Sequence, residues 1–134
     1  MIRPAELILP ELRAKLPGVS VVTDVTDVDH RQFPLLLVTV TSCRLYEKGA
    51  ESFWVAAFDM NANSKTDLAS AESLYYSARA ALYSMWRDQK VTAKGWVHSF
   101  TENMGATRAN PLFEDSWRFL GNIQLGLRPN NMTI

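Results

Sequence analysis

Between residues 116 and 128 the chain alternates strictly. Trp117, Phe119, Gly121, Ile123, Leu125 and Leu127 fall on one parity, and Arg118, Leu120, Asn122, Gln124, Gly126 and Arg128 on the other. A period of two over that length predicts a long strand with one face on a core. Upstream, "VSVVTDV" (19–25) and "PLLLVTVTSC" (34–43) are β-branched, apolar runs that also read as strands, the second in the middle of a sheet. "SFWVAAFDM" (52–60) predicts a partner for 34–43. Its Trp54, Phe58 and Met60 alternate with Phe53, Val55 and Asp59, and Lys48-Gly49 forms the hairpin connection. "GWVHSFTENMG" (95–105) predicts a further strand, and "ATRANPLFED" a loop.

The period changes twice. "RPAELILPELRAKLPG" places Leu7, Ile8, Leu12 and Leu16 on a partial helical stripe, opened by Pro4 and stopped by Pro17-Gly18. Pro10 removes an interior donor, so a kink or restart is expected there. Residues 65–87 carry Leu68, Ala71, Tyr75, Ala78, Leu82 and Met85 on one stripe, with Leu74 and Ala81 beside it. Ser64 followed by Asp67 suggests a capping box at the start. The order is helix, three strands, long helix, two strands. The economical packing is an α+β fold: a mainly antiparallel sheet of about five strands, with two helices on one face.

Length and composition fit one domain over residues 1–134. The chain is 47% hydrophobic and 21% charged, which excludes wholesale disorder. Fourteen basic residues balance fourteen acidic ones, so nothing supports general affinity for nucleic acid. Cys43 is the single cysteine and cannot form an internal disulfide. The apolar run Leu7–Leu9 is too short for a signal-peptide core, and Phe53–Phe58 is too short for a membrane span. A soluble, cytosolic chain with no membrane partner is expected.

Candidate chemistry is sparse. "DVTDVDH" offers Asp24, Asp27, Asp29 and His30 to a hard cation, but lacks the glycine and terminal glutamate of a calcium loop. It reads as a solvated acidic loop. His98 reads as a packed or surface histidine, and Cys43 as a small buried hydrophobe with no base beside it. Arg79, Arg87, Lys90 and Lys94 read as a solvated helix end, not a phosphate patch. The six glycines build no phosphate-cradling loop, and no nucleophile motif occurs. No catalytic residue, cofactor or metal is expected. Four tryptophans (54, 86, 96 and 117) suggest interaction surfaces, with at least two of them in the core. Long strands also create edges that a neighbouring subunit could cover.

Taken together, "LRAKLPGVSVVTDV", "FPLLLVTVTS", the hairpin strand, "DLASAESLYYSARAALY" and "SWRFLGNIQLGLRP" resemble the tail terminator proteins of long-tailed bacteriophages. The resemblance spans nearly the whole chain. It departs from the family pattern in the charged "TDVDHRQF" loop and in Pro10.

The resemblance implies a non-enzymatic virion protein of the tail or neck, assembled in the host cytoplasm. It implies a hexameric ring that caps the tail tube, ends polymerisation and provides the head–tail joining surface. The implied partners are the major tail tube protein and a head-completion or neck protein, with DNA passing the lumen without specific binding. Tyr46, Glu47 and Lys48 of the hairpin, with Arg118 and Arg128 of the last strand, are the expected interface residues. Another neck component, or a small ligand-binding or enzymatic α+β domain using the acidic loop and His30, are the competing readings.

Overall fold

A computed structural model describes residues 3–23, 32–48, 51–111 and 116–129. In chain order the elements are α1 (Pro4–Lys15), β1 (Ser20–Val22), β2 (Leu35–Lys48), β3 (Glu51–Ser64), α2 (Leu68–Arg87), β4 (Val91–Thr92), β5 (Gly95–Ala109) and β6 (Trp117–Arg128). The architecture is α+β, as the hydrophobic pattern implies, but the sheet differs in detail. It has six strands in the order β1-β2-β3-β6-β5-β4. It is also mixed, because β1 runs parallel to β2 while the other pairs are antiparallel.

The alternation of β6 builds the core. Phe119, Ile123, Leu125 and Leu127 are buried on one face, in register with Ala62, Phe58, Ala56 and Trp54 of β3. Leu36 and Val38 of β2 and Val97 of β5 continue this layer. α2 lays Ala71, Leu74, Tyr75, Ala78, Ala81, Leu82 and Met85 onto it, while α1 adds Leu7, Ile8 and Leu12. Both helices therefore join one core on one side of the sheet. The small Ala71, Ala78 and Ala81 let α2 approach closely, and Gly121 does the same from the sheet. A Cβ at Gly121 would lie 2.0 Å from the Tyr75 hydroxyl oxygen.

Several local expectations change. α1 is continuous through Pro10, with no restart. α2 begins at Leu68, and Asp67 is its N-cap, accepting from the Ser70 N–H at 2.7 Å. Ser64 belongs to β3, and its Oγ accepts from the Thr66 N–H at 3.1 Å. One carboxylate thus does the work assigned to a Ser64–Asp67 box. β2 and β3 run further towards their hairpin than the apolar cores of their sequences suggest, because cross-strand bonds continue where hydrophobicity stops. The loop expected at "ATRANPLFED" is partly strand, since β5 continues to Ala109. Gly49 and Ala50 of the hairpin, and the "DVTDVDH" loop from Asp24 to His30, lie outside the described residues.

Candidate assembly surface

The sheet face turned away from the helices carries a set of polar side chains bonded to one another across the strands. Asn122 donates Nδ2–H to Asp59 Oδ1 at 2.9 Å and accepts from Asn103 Nδ2 at 2.9 Å. Arg118 donates to Asn61 Oδ1 at 3.2 Å, and the fully buried Asn63 donates to the Leu35 and Asn61 carbonyls. These amides occupy the parity of β3 and β6 that alternates with the core residues. Each is anchored to a neighbouring strand, so the face is pre-formed.

One end of this face carries an aromatic–cation cluster. The Tyr46 and Phe53 rings lie 5.1 Å apart, and His98 meets Phe53 edge-on at 4.5 Å and Trp96 at 6.2 Å. The Arg128 guanidinium sits 5.8 Å from the Phe53 ring and 6.0 Å from Trp96, a cation–π arrangement. Gly126 leaves room for it, since a Cβ there would meet Ser99 Oγ at 2.2 Å and His98 Nε2 at 2.7 Å. Trp96, Phe53 and His98 were not singled out in sequence as one group. The signal was Gly126, a glycine inside a strand, which often marks close approach.

The predicted interface residues separate accordingly. Tyr46 and Glu47 are exposed near the hairpin end of β2, and Lys48 is that strand's last residue. Arg118 and Arg128 stand near opposite ends of β6, both half-buried and engaged with Asn61 and the aromatic cluster respectively. Cys43 departs from the expectation of burial. It lies on the outer part of β2 and is exposed, while partial desolvation pushes its thiol above the ordinary value.

The four basic residues of the long helix and its exit do not form a patch. Arg79 pairs with Glu102 at 3.0 Å, Arg87 with Asp88 at 3.0 Å, Lys94 with Glu6 at 3.6 Å, and Lys90 with Glu11. Each is neutralised locally, and two of the pairs tie α1 to the segment after α2. Among the tryptophans, Trp54, Trp86 and Trp117 pack partly buried against the core, and none is fully enclosed. Among the described residues no three His, Cys, Asp or Glu side chains converge as a metal site, and no helix is long and apolar enough to cross a membrane. An open groove of about 590 Å3 beside α2 is lined by Lys15, Phe33, Lys65, Asp67 and Ser70 among others. The Asp67 carboxylate there is already committed to capping the helix.

The edges of the sheet are only partly covered. β1 pairs with Leu35–Leu37 of β2, and β4 with Gly95 and Trp96 of β5. Trp86 Nε1–H donates to the His98 carbonyl at 3.1 Å, and Gln89 Nε2 to the Val97 carbonyl at 3.4 Å. Beyond these, β2 from Val38 and β5 from Ser99 have no outer partner strand among the described residues. Val40, Leu45, Tyr46 and Met104 are exposed along them. Open edges with exposed apolar side chains are surfaces that a further strand can complete.

The gene 22 protein of Mycobacterium phage D29 is 33% identical over 135 residues, covering 99% of this chain and 97% of that one. The gene 22 protein of Mycobacterium phage L5 is 34% identical over 127 residues, covering 93% and 91%. A chain of the virion of a native gene transfer agent particle shares the fold, with a TM-score of 0.54 at 13% identity, over 87% of this chain and 83% of that one. The family described as phage tail termination protein matches residues 1–133, and the chain belongs to that family as a structural protein of the phage virion tail.

Proposed function

We propose that the protein caps the tail tube as a ring, ends its polymerisation and presents the surface to which the head is joined. The family match over residues 1–133 carries this reading, and the open edges of β2 and β5 support assembly into a ring. The ring is a hexamer on the tail. Its axial partners are the major tail tube protein on one side and a head-completion or neck protein on the other. Tyr46, Glu47 and Lys48, at the hairpin end of β2, meet a neighbouring subunit or the tube, and Arg118 and Arg128 belong to the same contact system. The protein works without a catalytic centre, cofactor or metal. DNA passes the lumen without specific binding, for which a formal net charge of zero is favourable.

The test is a phage lacking this gene, with the lysate viewed by electron microscopy. Over-long tails free of heads are expected. Tails of normal length beside leaking heads would point instead to a head-completion role. Normal virions would overturn the structural reading.

A further inference from the structure

We infer that copies of this chain join edge to edge. The free stretch 38–48 of β2 in one subunit pairs antiparallel with the free stretch 99–109 of β5 in the next, so that the sheets merge into one continuous band. The inference rests on the ring reading above and adds to it which strands close the ring and in what register.

Strand direction makes the two edges complementary. β2, β3, β6 and β5 are consecutive in the sheet and each neighbouring pair is antiparallel, so β2 and β5 run in opposite senses. When identically oriented copies stand side by side around an axis, the β2 edge of one meets the β5 edge of the next. The alternation of directions then continues unbroken. This contact is head-to-tail, the only type that propagates into a closed ring. Pairing β2 with β2 would instead stop at a dimer and leave both β5 edges open.

The same protein also marks where pairing can begin and end. β1 occupies β2 up to Leu37, while β4, Gln89 and Trp86 occupy β5 up to His98. The stretches left over, 38–48 and 99–109, are equal in length. Residues that face one another across such a pair must point to the same side of the merged sheet. With Lys48 set across from Ser99, Tyr46 faces Thr101 on the side away from the helices, and Leu45 faces Glu102 on the helix side. Beyond that point β5 has irregularities between Glu102 and Met104 and between Met104 and Thr107, and β2 has one between Val40 and Ser42. With the extra residues bulged out, the sides stay matched: Arg44 faces Met104, Cys43 lies across from Gly105 and Ala106, and Thr39 faces Ala109. The exposed Val40, Leu45 and Met104 lose water in the same contact.

Cys43, the only thiol, lies across from Gly105 and Ala106 in this register and serves as a built-in probe. Phage would be grown with Met104→Cys, Gly105→Cys or Ala106→Cys in this gene, with Tyr76→Cys on the exposed side of α2 as a control. Purified virions would be mildly oxidised and the protein followed on non-reducing gels. A ladder of covalent multimers from at least one of the three positions is expected, absent in Tyr76→Cys and lost when Cys43→Ser is added. A disulfide needs Cα atoms within about 7 Å, so the readout is specific to register.

A second measurement needs no substitution. Maleimide labelling of Cys43 should fall at least about tenfold from the dissociated chain to intact virions, the kind of protection expected when an exposed thiol is covered. Equal labelling, no ladder from any position in virions that contain the protein, or covalent dimers of the unaltered chain would each overturn the pairing. If the protein were absent from virions, the ring reading itself would fail, and the pairing with it.

Discussion

Tyr75 is fully buried, yet its hydroxyl must reach a partner. It donates to Glu102 Oε2 at 2.9 Å, and Arg79 Nε approaches the same oxygen at 3.0 Å. Burial, together with the Glu102 carboxylate, pushes the phenol above its ordinary range, so it remains a donor throughout the physiological range. The ring fits only because Gly121 has no side chain. Gly121→Ala would drive a methyl group into the hydroxyl and is expected to destabilise by about 1–3 kcal/mol, the usual cost of overpacking. Leu82, also fully buried on α2, tests the opposite error. Leu82→Ala should leave a cavity and cost about 2–5 kcal/mol. Urea unfolding checks both, and a neutral result at either position would break the packing described for that face.

Elements were legible in proportion to how strictly one period governed them. β6 and α2 bury one parity and one stripe, respectively, so the core residues could be named from the pattern alone. β1 and β4 could not be bounded that way. Three and two residues are too few to show a period, and their extent is set by the partner strand instead of by hydrophobicity. Strand order was hidden for a related reason. Alternation tells which face is buried, but not that β6 pairs with β3.

The N-terminus of α2 misled because Ser64 and Asp67 both suit a cap, and only backbone geometry chooses between them. The observed Asp67 cap has a pH consequence. Hydrogen bonding from Ser70 lowers the Asp67 pKa, so its contribution is present above the unfolded carboxylate value of about 3.9 and is lost as pH falls through the lower folded value. Asp67→Asn retains a capping oxygen but cannot titrate. Its thermal midpoint should therefore fall less steeply than that of the unaltered chain below about pH 4. Equal slopes would remove Asp67 from the account of acid sensitivity.

At the scale of the whole molecule, the chain's late strand is its middle one. β6 is inserted between β3 and β5, completing the register Trp54–Leu127 through Ser64–Trp117 on one side and Trp96–Arg128 through Ala109–Arg118 on the other. Without it, β3 and β5 lose their common neighbour. The helices lose Phe119, Ile123, Leu125 and Leu127 from beneath them. Such non-local pairing repays its loop-closure entropy only when the last strand arrives, which favours all-or-none folding. A chain ending at residue 116 should therefore show no cooperative thermal transition, although every other element is present in its sequence. Arg118→Ala, which removes one bond to Asn61 from the polar face, should keep a single sharp transition. Circular dichroism melting of the two variants separates a fold that depends on β6 from two halves stable alone. A sharp transition in the truncated chain would show that β1–β3 and α2 form a core without it.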